Sequence, residues 1–349
     1  MYTDRSKIMK LLCMHRILIN FVYMKKNSIK APLSEMLDID YPIIIAPMFL
    51  VSNEAMLIAG IKAGATAAVP ALNYRTTDAL REAIQHVKRE AGGPLGINLI
   101  VNKSNFLYKE QLDIICEEKV DYIITSLGSP EETINKAHQN GIKVFCDVTD
   151  LKYAKKVEAL GADALIAVNK EAGGHAGNIS VKELVPLLKE NCSIPVISAG
   201  GVGTGKEMLE VMERGADGLS MGSIFIASEE ANVTEEYKQA CVDYGKDDIV
   251  MTSKLSGTPC TVIKTPYVEQ MGTKQNWLER FLNRNKKIKK WIKAFTFMKG
   301  MKSLRKAAFS ATYKTLWCAG PSIEHVHAVR PIQKIIDQLI EEYDHAKNA

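Results

Sequence analysis

The sequence predicts an α/β protein built on a (β/α)8 TIM barrel, with a smaller C-terminal helical lid or subdomain. Three observations favour this fold. Short apolar runs alternate with amphipathic stretches from Tyr41 onwards, which is typical of repeated βα units. The runs number eight, and the phrases AGAT, LGADA and RGADG each place a helix-ending glycine before the next run. The chain of 349 residues, 46% of them hydrophobic, is long enough for such a barrel and an appendage.

The eight candidate strands are short, and amphipathic stretches separate them. They cover residues 43–47, 66–70, 95–99, 121–125, 143–147, 162–168, 195–199 and 216–221. Segments such as NEAMLIAGIKAG and GKEMLEVMERG carry apolar residues three and four apart, which is typical of helices that pack on a sheet. We therefore expect an N-terminal extension over 1–30, a barrel core over 31–240, a basic helical lid or subdomain over 241–320 and a C-terminal segment over 321–349 that packs back on the barrel.

The first residues carry basic charges before a short apolar run, but they lack the features of a complete secretion signal. Asn20 interrupts the run, no small-residue cleavage site follows, and the run is too short to span a bilayer. We interpret this stretch as a dispensable extension, with Met24 as an alternative start, of a cytoplasmic protein without a transmembrane segment. The seven cysteines are scattered without a CxxC pair, so we expect free thiols, with neither a disulfide framework nor a metal site.

A glycine-rich loop around a single histidine, here called the histidine loop (residues 168–180), follows the sixth predicted strand. In VNKEAGGHAGNIS, residues 168–180, the residues Gly173, Gly174 and Gly177 let a flat ligand approach the main chain. The loops after the strands form the catalytic face of a barrel, so His175 is a candidate catalytic residue. The alternative interpretation is an ordinary turn with a surface histidine.

Two further glycine-rich segments follow the seventh and eighth predicted strands. SAGGVGTGKEM (198–208) and MGSIF (221–225) lie where barrels frequently bind a phosphate with backbone N–H groups. A P-loop is excluded because Glu207 stands where Ser or Thr is needed, and a Rossmann fingerprint lacks its third glycine. Two structural turns are the alternative interpretation. The residues suited to binding a phosphate are Gly200, Gly201, Gly222 and Ser223.

The predicted barrel mouth also offers groups for the ring of a bound nucleotide. The first strand ends in Ala46, Pro47 and Met48, which form a flat apolar edge. Asn98 ends the third strand, where its amide can hydrogen-bond a ring carbonyl or nitrogen. A phosphate and a planar ring that lie across one barrel mouth fit flavin mononucleotide, FMN.

Together these motifs resemble those of a known family, the nitronate monooxygenases, formerly called 2-nitropropane dioxygenases, and of their relatives, the flavin-dependent enoyl-acyl-carrier-protein reductases. The similar pieces are YPIIIAPM, GINL, EAGGHAG, PVISAGGV, GADGLSMGSIF and WCAGPSIEHV, which together cover most of residues 40–330. The resemblance implies an FMN-dependent barrel in which His175 lies near the substrate and the flavin. The FMN contacts that it implies are Ala46, Pro47, Met48, Asn98, Gly174, Gly200, Gly201, Gly222 and Ser223.

Four more residues are candidates for cofactor binding. Ser126 and Asp147 stand at the ends of the fourth and fifth predicted strands, although Asp147 equally suits a structural cap. Ser198 and Met221 lie within the similar motifs after the seventh strand and at the end of the eighth. We expect all four to lie at or near the barrel mouth.

The resemblance implies oxidation of an alkyl nitronate by the flavin, with dioxygen as acceptor. A nitronate is a delocalised anion, and His175 can place a hydrogen-bond donor or a positive charge beside its oxygens. Two alternatives stay open: an NAD(P)H-dependent reductase of an enoyl thioester or a quinone, and a non-enzymatic flavin-binding or carrier-protein-binding module. AGATAAVPALNYRT replaces a glycine-rich family segment, and Pro321 replaces an amide side chain. Both changes touch the substrate side and so concern the substrate more than the cofactor.

A strongly basic segment lies near the C-terminus. Residues 274–306 hold twelve Lys or Arg residues against a single acid, Glu279, and apolar residues interleave at helical spacing. We expect amphipathic helices with a solvated face on the lid. The alternative is a docking surface for an acidic acyl-carrier protein, a coenzyme A phosphate or an anionic membrane surface. Because the net charge is only +5, we expect no nucleic-acid partner, and a homodimer is kept open.

Overall fold

The computed structural model describes residues 28–102, 105–252, 259–273 and 316–349. The expected N-terminal extension falls almost entirely outside the described residues, since they cover only its last three positions. The basic segment 274–306, with its predicted amphipathic helices, lies entirely outside the described residues, so its predicted structure stays a prediction.

Eight parallel strands close into a barrel in sequence order. They are β1 (Ile43–Ile45), β2 (Thr66–Pro70), β3 (Leu95–Ile100), β4 (Tyr122–Ser126), β5 (Lys143–Val148), β6 (Ala164–Val168), β7 (Val196–Ala199) and β8 (Gly218–Met221). The barrel closes where β8 pairs with β1, which places Ile44 opposite Ser220. Each strand overlaps one of the eight apolar runs, so the predicted TIM barrel is confirmed.

Helices connect the strands, and polar side chains mark where several of them begin. Their bounds are α1 (Pro32–Leu37), α2 (Glu54–Lys62), α3 (Thr77–Ala91), α4 (Tyr108–Glu117), α5 (Glu131–Gln139), α6 (Leu151–Ala159), α7 (Val181–Asn191), α8 (Gly205–Glu213), α9 (Glu235–Asp243), α10 (Pro266–Met271) and α11 (Ile332–Asn348). The side chains of Asn53, Thr76 and Asp150 each accept a hydrogen bond from a first-turn backbone N–H. Such N-caps satisfy donors that have no partner inside the helix.

The interior of the barrel is closed at its amino-terminal end by α1. The inner apolar cluster consists of Leu33, Leu37, Ile44, Ala68, Tyr122, Ile124, Phe145, Ala164, Ile166, Ile197 and Ala199. The Leu33 N–H donates to Asp217 O at 3.1 Å, which holds α1 against the start of β8. Strand residues that alternate with these ones pack against the surrounding helices instead.

An aromatic stack fills the lower half of the barrel. The rings of Tyr122 and Phe145 stack with their centroids 5.0 Å apart. The Tyr122 hydroxyl lies 3.1 Å from Thr66 Oγ1, which satisfies a polar group that would otherwise be buried alone. A Cβ on Gly96 would lie 2.2 Å from the Tyr122 ring, so this glycine makes the space that the ring occupies.

The C-terminal helix α11 packs along the outside of the barrel against α8. Its buried residues recur at helical spacing and are Ile332, Ile335, Ile336, Leu339, Ile340 and Tyr343. A Cβ on Gly205 would lie 2.2 Å from both Leu339 O and Tyr343 N. The two helices therefore approach this closely because α8 begins with a glycine.

A two-stranded antiparallel sheet lies in the region for which the sequence predicted only a helical lid. It consists of β9 (Ile249–Thr252) and β10 (Cys260–Ile263). All four residues of β10 are buried, because β9 covers one edge and Gly174 of the histidine loop pairs with Thr261 on the other. That burial comes from residues distant in sequence, so local periodicity does not report it.

No helix among the residues that the structure describes is long and apolar enough to cross a membrane. Within the same four ranges, His, Cys, Asp and Glu side chains form no group of three or more that could hold a metal ion. The six cysteines in these ranges are free thiols.

Candidate functional site

A chain of polar side chains lies across three strands at the carboxyl-terminal mouth of the barrel. Asn98 of β3 donates from Nδ2 to Ser126 Oγ at 2.8 Å and to Ile124 O at 3.1 Å. The Ser126 hydroxyl in turn donates to Asp147 Oδ2. The structure therefore brings together Asn98, Ser126 and Asp147, three of the predicted cofactor contacts. The Ile124 carbonyl also sets the orientation of the Asn98 amide, because only its nitrogen can donate there.

Asp147 is a titratable group at this mouth. Burial raises its pKa to about 6, and the hydrogen bond from Ser126 offsets only part of that rise. Desolvation has this sign because it disfavours the charged carboxylate. The carboxyl group therefore changes its protonation state close to neutral pH, where it converts from a hydrogen-bond donor into a pure acceptor.

The loop after β1 is held against the loop after β8. Ser52 Oγ accepts the Met48 N–H at 2.8 Å and donates to Ala46 O at 3.1 Å, which fixes both ends of the Ala46, Pro47 and Met48 segment. A Cβ on Gly222 would lie 3.2 Å from Met48 Sδ and 3.4 Å from Ala46 Cβ. The predicted apolar edge and the predicted phosphate loop are therefore neighbours.

The loop after β7 contacts the histidine loop through bare backbone. Gly200 and Gly201 have φ angles of +106° and +78°, which favour glycine. A Cβ on Gly200 would lie 2.4 Å from Ala172 N. The fully buried Asn169 ties the two loops together, because its Nδ2 donates to Gly200 O at 3.0 Å and its Oδ1 accepts the Glu171 N–H at 2.9 Å.

Backbone donors on the loops after β7 and β8 suit an anion. A short 3-10 helix, Ser223–Phe225, begins directly after β8. As far as the described residues show, the N–H groups of Gly201, Gly222 and Ser223 donate to no protein acceptor, although Ser223 is buried. Main-chain donors in such places need a partner, and donors on adjacent loops can share one oxyanion. These residues fit the phosphate of FMN.

Three glycine-containing segments converge on Ser223. Its Oγ accepts the Gly320 N–H at 2.8 Å, which leaves the hydroxyl hydrogen able to donate to a ligand. A Cβ on Gly173 would lie 2.9 Å from both Ser223 Oγ and Gly320 N. The histidine loop, the loop after β8 and the AGP turn therefore meet at one point, and a side chain on Gly173 would separate them.

His175 lies two residues beyond that point of convergence. The preceding residue, Gly174, has a φ of +75°, and its carbonyl accepts the Thr261 N–H at 2.7 Å. The His175 side chain is exposed to solvent, yet the protein atoms around it lower the pKa of its imidazole. The solvent exposure and the lowered pKa are both expected for a ring that packs against protein atoms on one side and faces solvent on the other. The lowered pKa favours the neutral ring, which offers one donor and one acceptor nitrogen.

The GxxxxGK match does not form a nucleotide-binding P-loop. Thr204 Oγ1 accepts the Glu207 N–H at 3.2 Å, and the Glu207 carboxylate accepts the Gly203 N–H at 2.8 Å. Glu342 of α11 accepts the Gly205 N–H at 2.8 Å. Two carboxylates therefore occupy the start of α8, and a phosphate is favoured only nearer the strand ends, where no carboxylate competes for the N–H groups.

Two predicted cofactor contacts have side chains that turn away from the mouth. Ser198 alternates with Ile197 and Ala199, which face the barrel interior, and its buried Oγ has no hydrogen-bond partner among the described residues. Met221 packs in the cluster between barrel and helices, while its carbonyl accepts the Ala46 N–H at 2.8 Å. Only main-chain atoms of Ser198 and Met221 remain as candidate contacts.

Three residues that hold the site together were not among the sequence-predicted site residues: Asn169, Thr261 and Gly320. Asn169 carried a usable signal, since it is a polar residue that directly follows a predicted strand on the catalytic face. Gly320 stands in the AGP phrase, where Pro321 is the residue that departs from the family pattern. Thr261 carried no local signal, because its hydrogen-bond partners Ala172 and Gly174 lie 89 and 87 positions earlier in the chain.

Comparison with protein families gives one match that covers more than half of the chain. The family model described as "Nitronate monooxygenase" matches residues 101–342. This span contains the histidine loop and the loops after β7 and β8, so it includes the point at which those loops converge.

The chain is also similar to individual proteins. It is 27% identical over 245 residues, 70% of this chain and 69% of that protein, to "(3aS,4S,5R,7aS)-5-hydroxy-7a-methyl-1-oxo-octahydro-1H-indene-4-carboxyl-CoA dehydrogenase" of Rhodococcus jostii. It is 26% identical over 281 residues, 68% of this chain and 79% of that protein, to a "Probable nitronate monooxygenase" of Staphylococcus saprophyticus. The solved structure of FabK from Thermotoga maritima matches with a TM-score of 0.81 at 27% identity, over 92% of this chain and 98% of that one.

Proposed function

Because the chain belongs to the nitronate monooxygenase family of oxidoreductases, we propose that it is an FMN-dependent nitronate monooxygenase that oxidises alkyl nitronates with dioxygen. FMN supplies the redox chemistry when it is bound. The residues of the chain bind the cofactor, orient the substrate and exchange hydrogen bonds with it at His175.

The observation that carries this proposal is the convergence of the histidine loop with the loops after β7 and β8. Gly173 lies against Ser223, so a phosphate held by the N–H groups of Gly201, Gly222 and Ser223 lies close to the histidine loop. The apolar segment that ends in Met48 suits the flat face of the flavin ring. The Asn98, Ser126 and Asp147 chain suits the polar groups of the cofactor.

His175 acts on the substrate as a neutral imidazole. Its lowered pKa makes a positive charge unfavourable at neutral pH, so the cationic role that the sequence left open is disfavoured. The neutral ring donates one hydrogen bond to a nitronate oxygen, and it takes no proton from the substrate, because the nitronate is already deprotonated.

A second candidate is an NAD(P)H-dependent reductase of an enoyl thioester on the same barrel. It is favoured by the Rhodococcus relative, whose name describes a carboxyl-CoA dehydrogenase. Pro321 also begins the 3-10 helix Pro321–His325, directly after the glycine that contacts Ser223. The departure from the family pattern thus lies beside the candidate site, where it can change which substrate fits.

Anaerobic rapid mixing of the purified yellow protein separates the two candidates. The flavin is mixed in turn with an alkyl nitronate, with NADH and with NADPH, and its absorbance is followed. We expect the nitronate to bleach the flavin at least about a hundredfold faster than either nicotinamide, because only the true reductant is oriented for transfer. Faster bleaching by NADH or NADPH would contradict the monooxygenase proposal and favour the reductase.

A further inference from the structure

Thr261 of β10 forms hydrogen bonds to the histidine loop at two points. Its N–H donates to Gly174 O at 2.7 Å, and its Oγ1 donates to Ala172 O at 2.7 Å. These two carbonyls flank Gly173, the glycine that lies against Ser223. The Thr261 side chain is only 4% exposed, so both bonds are shielded from competing water.

β10 is itself firmly placed, so it can act as a fixed support. One edge of the strand pairs with β9, and on the other edge the Ile263 N–H donates to Trp317 O at 2.8 Å. Trp317 is completely buried and stacks on Tyr237 with ring centroids 5.5 Å apart. A displacement of β10 would therefore disturb a packed aromatic pair.

The histidine loop, in contrast, needs an external support. Gly173, Gly174 and Gly177 give its backbone more freedom than other residues would. Asn169 holds both ends of the loop, since its carbonyl accepts the N–H groups of Ala172 and Gly177 at 3.3 Å and 3.1 Å. Between these ends, Thr261 supplies the two bonds nearest to His175 on its N-terminal side.

We propose that Thr261 is a positioning residue for His175, because it holds Ala172 and Gly174 so that the imidazole keeps its place beside the loops after β7 and β8. The inference rests on the proposed function for the part that concerns flavin reduction. A purely structural role in the small sheet is the competing explanation, and it makes different predictions.

Three variants separate positioning from structure. Thr261→Val keeps the branched shape and the backbone N–H but removes the hydroxyl bond to Ala172. Thr261→Ser keeps the hydroxyl and serves as the rescue. Thr265→Val is the matched control, since Thr265 is also buried and its hydroxyl accepts the Val268 N–H at the start of α10 instead of contacting the histidine loop.

The first readout is the titration of the His175 ring by NMR in the full-length protein as purified, with its signal assigned by its loss in His175→Asn. Thr261→Val should raise the His175 pKa towards that of a free imidazole, because a loosened loop restores water to the ring. Thr261→Ser and Thr265→Val should titrate like the parent. An unchanged pKa in Thr261→Val, or an equal rise in Thr265→Val, would overturn the proposal.

The second readout is anaerobic flavin reduction at saturating alkyl nitronate. Thr261→Val should be about tenfold slower than the parent with FMN affinity unchanged, and Thr261→Ser should stay within twofold. A rate within twofold in Thr261→Val would count against positioning. If the parent itself is not reduced by the nitronate, the proposed function fails, while the NMR titration still decides the role of Thr261.

Hydrogen exchange on the parent protein tests the hydrogen bond on which the proposal depends, even if Thr261→Val does not fold. The Thr261 amide should exchange at least about a hundredfold more slowly than an unprotected amide, because it donates to Gly174 O. Exchange at the unprotected rate would show that the hydrogen bond from Thr261 to Gly174 is absent and would overturn the proposal.

Discussion

The two ends of the barrel are built from the same eight strands, yet different side chains fill them. At the amino-terminal end, Leu33 and Leu37 of α1 lie in one apolar cluster with the stacked rings of Tyr122 and Phe145. The carboxyl-terminal end carries small or polar residues instead: Ala46, Asn98, Ser126, Asp147, Gly200, Gly201, Gly222 and Ser223. This contrast indicates that one end of each strand contributes to stability, while the other end is the one at which enzymes of this fold bind and transform their substrates.

Left-handed backbone at residues other than glycine occurs at both ends of the barrel: Asp38 and Lys119 lie at the amino-terminal end with φ angles of 53° and 49°, and two leucines lie at the mouth. Leu50 and Leu127 follow β1 and β4 with φ angles of 59° and 62°, in the left-handed region that costs a bulky residue on the order of 1 kcal/mol. The Leu50 N–H donates to Asn73 Oδ1 at 2.9 Å, which helps to hold this conformation. Leu127 is 45% exposed, so packing does not explain its strain.

The largest expected effect comes from placing a carboxylate at the phosphate loops. Gly201→Asp and Gly222→Asp should weaken FMN binding at least about a thousandfold, or about 4 kcal/mol, because the new charge repels the phosphate and its side chain fills the cradle. Both proteins should fold. Titration of the cofactor-free variants with FMN, followed by fluorescence quenching, measures the loss.

Gly92→Asp is the matched control for Gly201→Asp. Gly92 ends α3 at the opposite end of the barrel, has a similar φ of +68°, and a Cβ there would meet nothing within 4 Å. It should therefore retain FMN with the affinity of the parent. If Gly201→Asp and Gly222→Asp also retain it, the phosphate does not bind at these loops.

A smaller effect, on stability alone, is expected at the amino-terminal end. Gly96→Ala places a Cβ 2.2 Å from the buried Tyr122 ring, so it should destabilise the fold by about 3 kcal/mol. FMN affinity should change less than twofold in the folded fraction. Urea unfolding gives the loss, and Gly96→Ala combined with Tyr122→Leu should recover part of it. If the stability losses of Gly96→Ala and Tyr122→Leu simply add in the double variant, the new methyl group does not contact the Tyr122 ring.

A still smaller effect concerns the pH dependence of stability. The folded pKa of Asp147 is about 6, above its ordinary value of about 3.9, so the folded state binds the proton more tightly. The penalty of ionising this partly buried carboxyl is small below pH 4, grows as the pH rises, and is complete above about pH 6. Asp147→Asn should therefore gain about 2 kcal/mol of stability over the parent between pH 4.5 and pH 7.

Denaturant unfolding at both pH values measures this gain. Asp150→Asn is the control, because Asp150 is an exposed cap of α6 and an asparagine there can still accept the Tyr153 N–H. A difference between pH 4.5 and pH 7 that is the same for both variants would show that Asp147 is not the group responsible.

The barrel could be predicted from the sequence because its signals are local. Eight apolar runs with glycine stops are visible in short windows, and each strand lies within two residues of its predicted start. The glycines of the mouth were visible for the same reason. Ser198 shows the limit of such reasoning, because the inward or outward direction of a side chain depends on strand parity, which a motif does not report.

The small sheet of β9 and β10 and its hydrogen bonds to the histidine loop could not be predicted. β9 and β10 have four residues each, too few for a clear period, and β10 is buried by partners that are distant in sequence. Thr261 looks like any strand residue until the fold brings Ala172 and Gly174 beside it. The raised pKa of Asp147 and the lowered pKa of His175 likewise depend on burial that only the folded chain creates.

We propose that His175 acts on the substrate while the glycines around it shape the cofactor site. Anaerobic mixing of FMN-loaded His175→Asn with an alkyl nitronate tests it most directly. We predict that the variant binds FMN like the parent but that its flavin is reduced about a hundredfold more slowly, the scale of one positioned proton donor or acceptor. Flavin reduction within twofold of the parent would contradict the account and make His175 a structural residue of its loop.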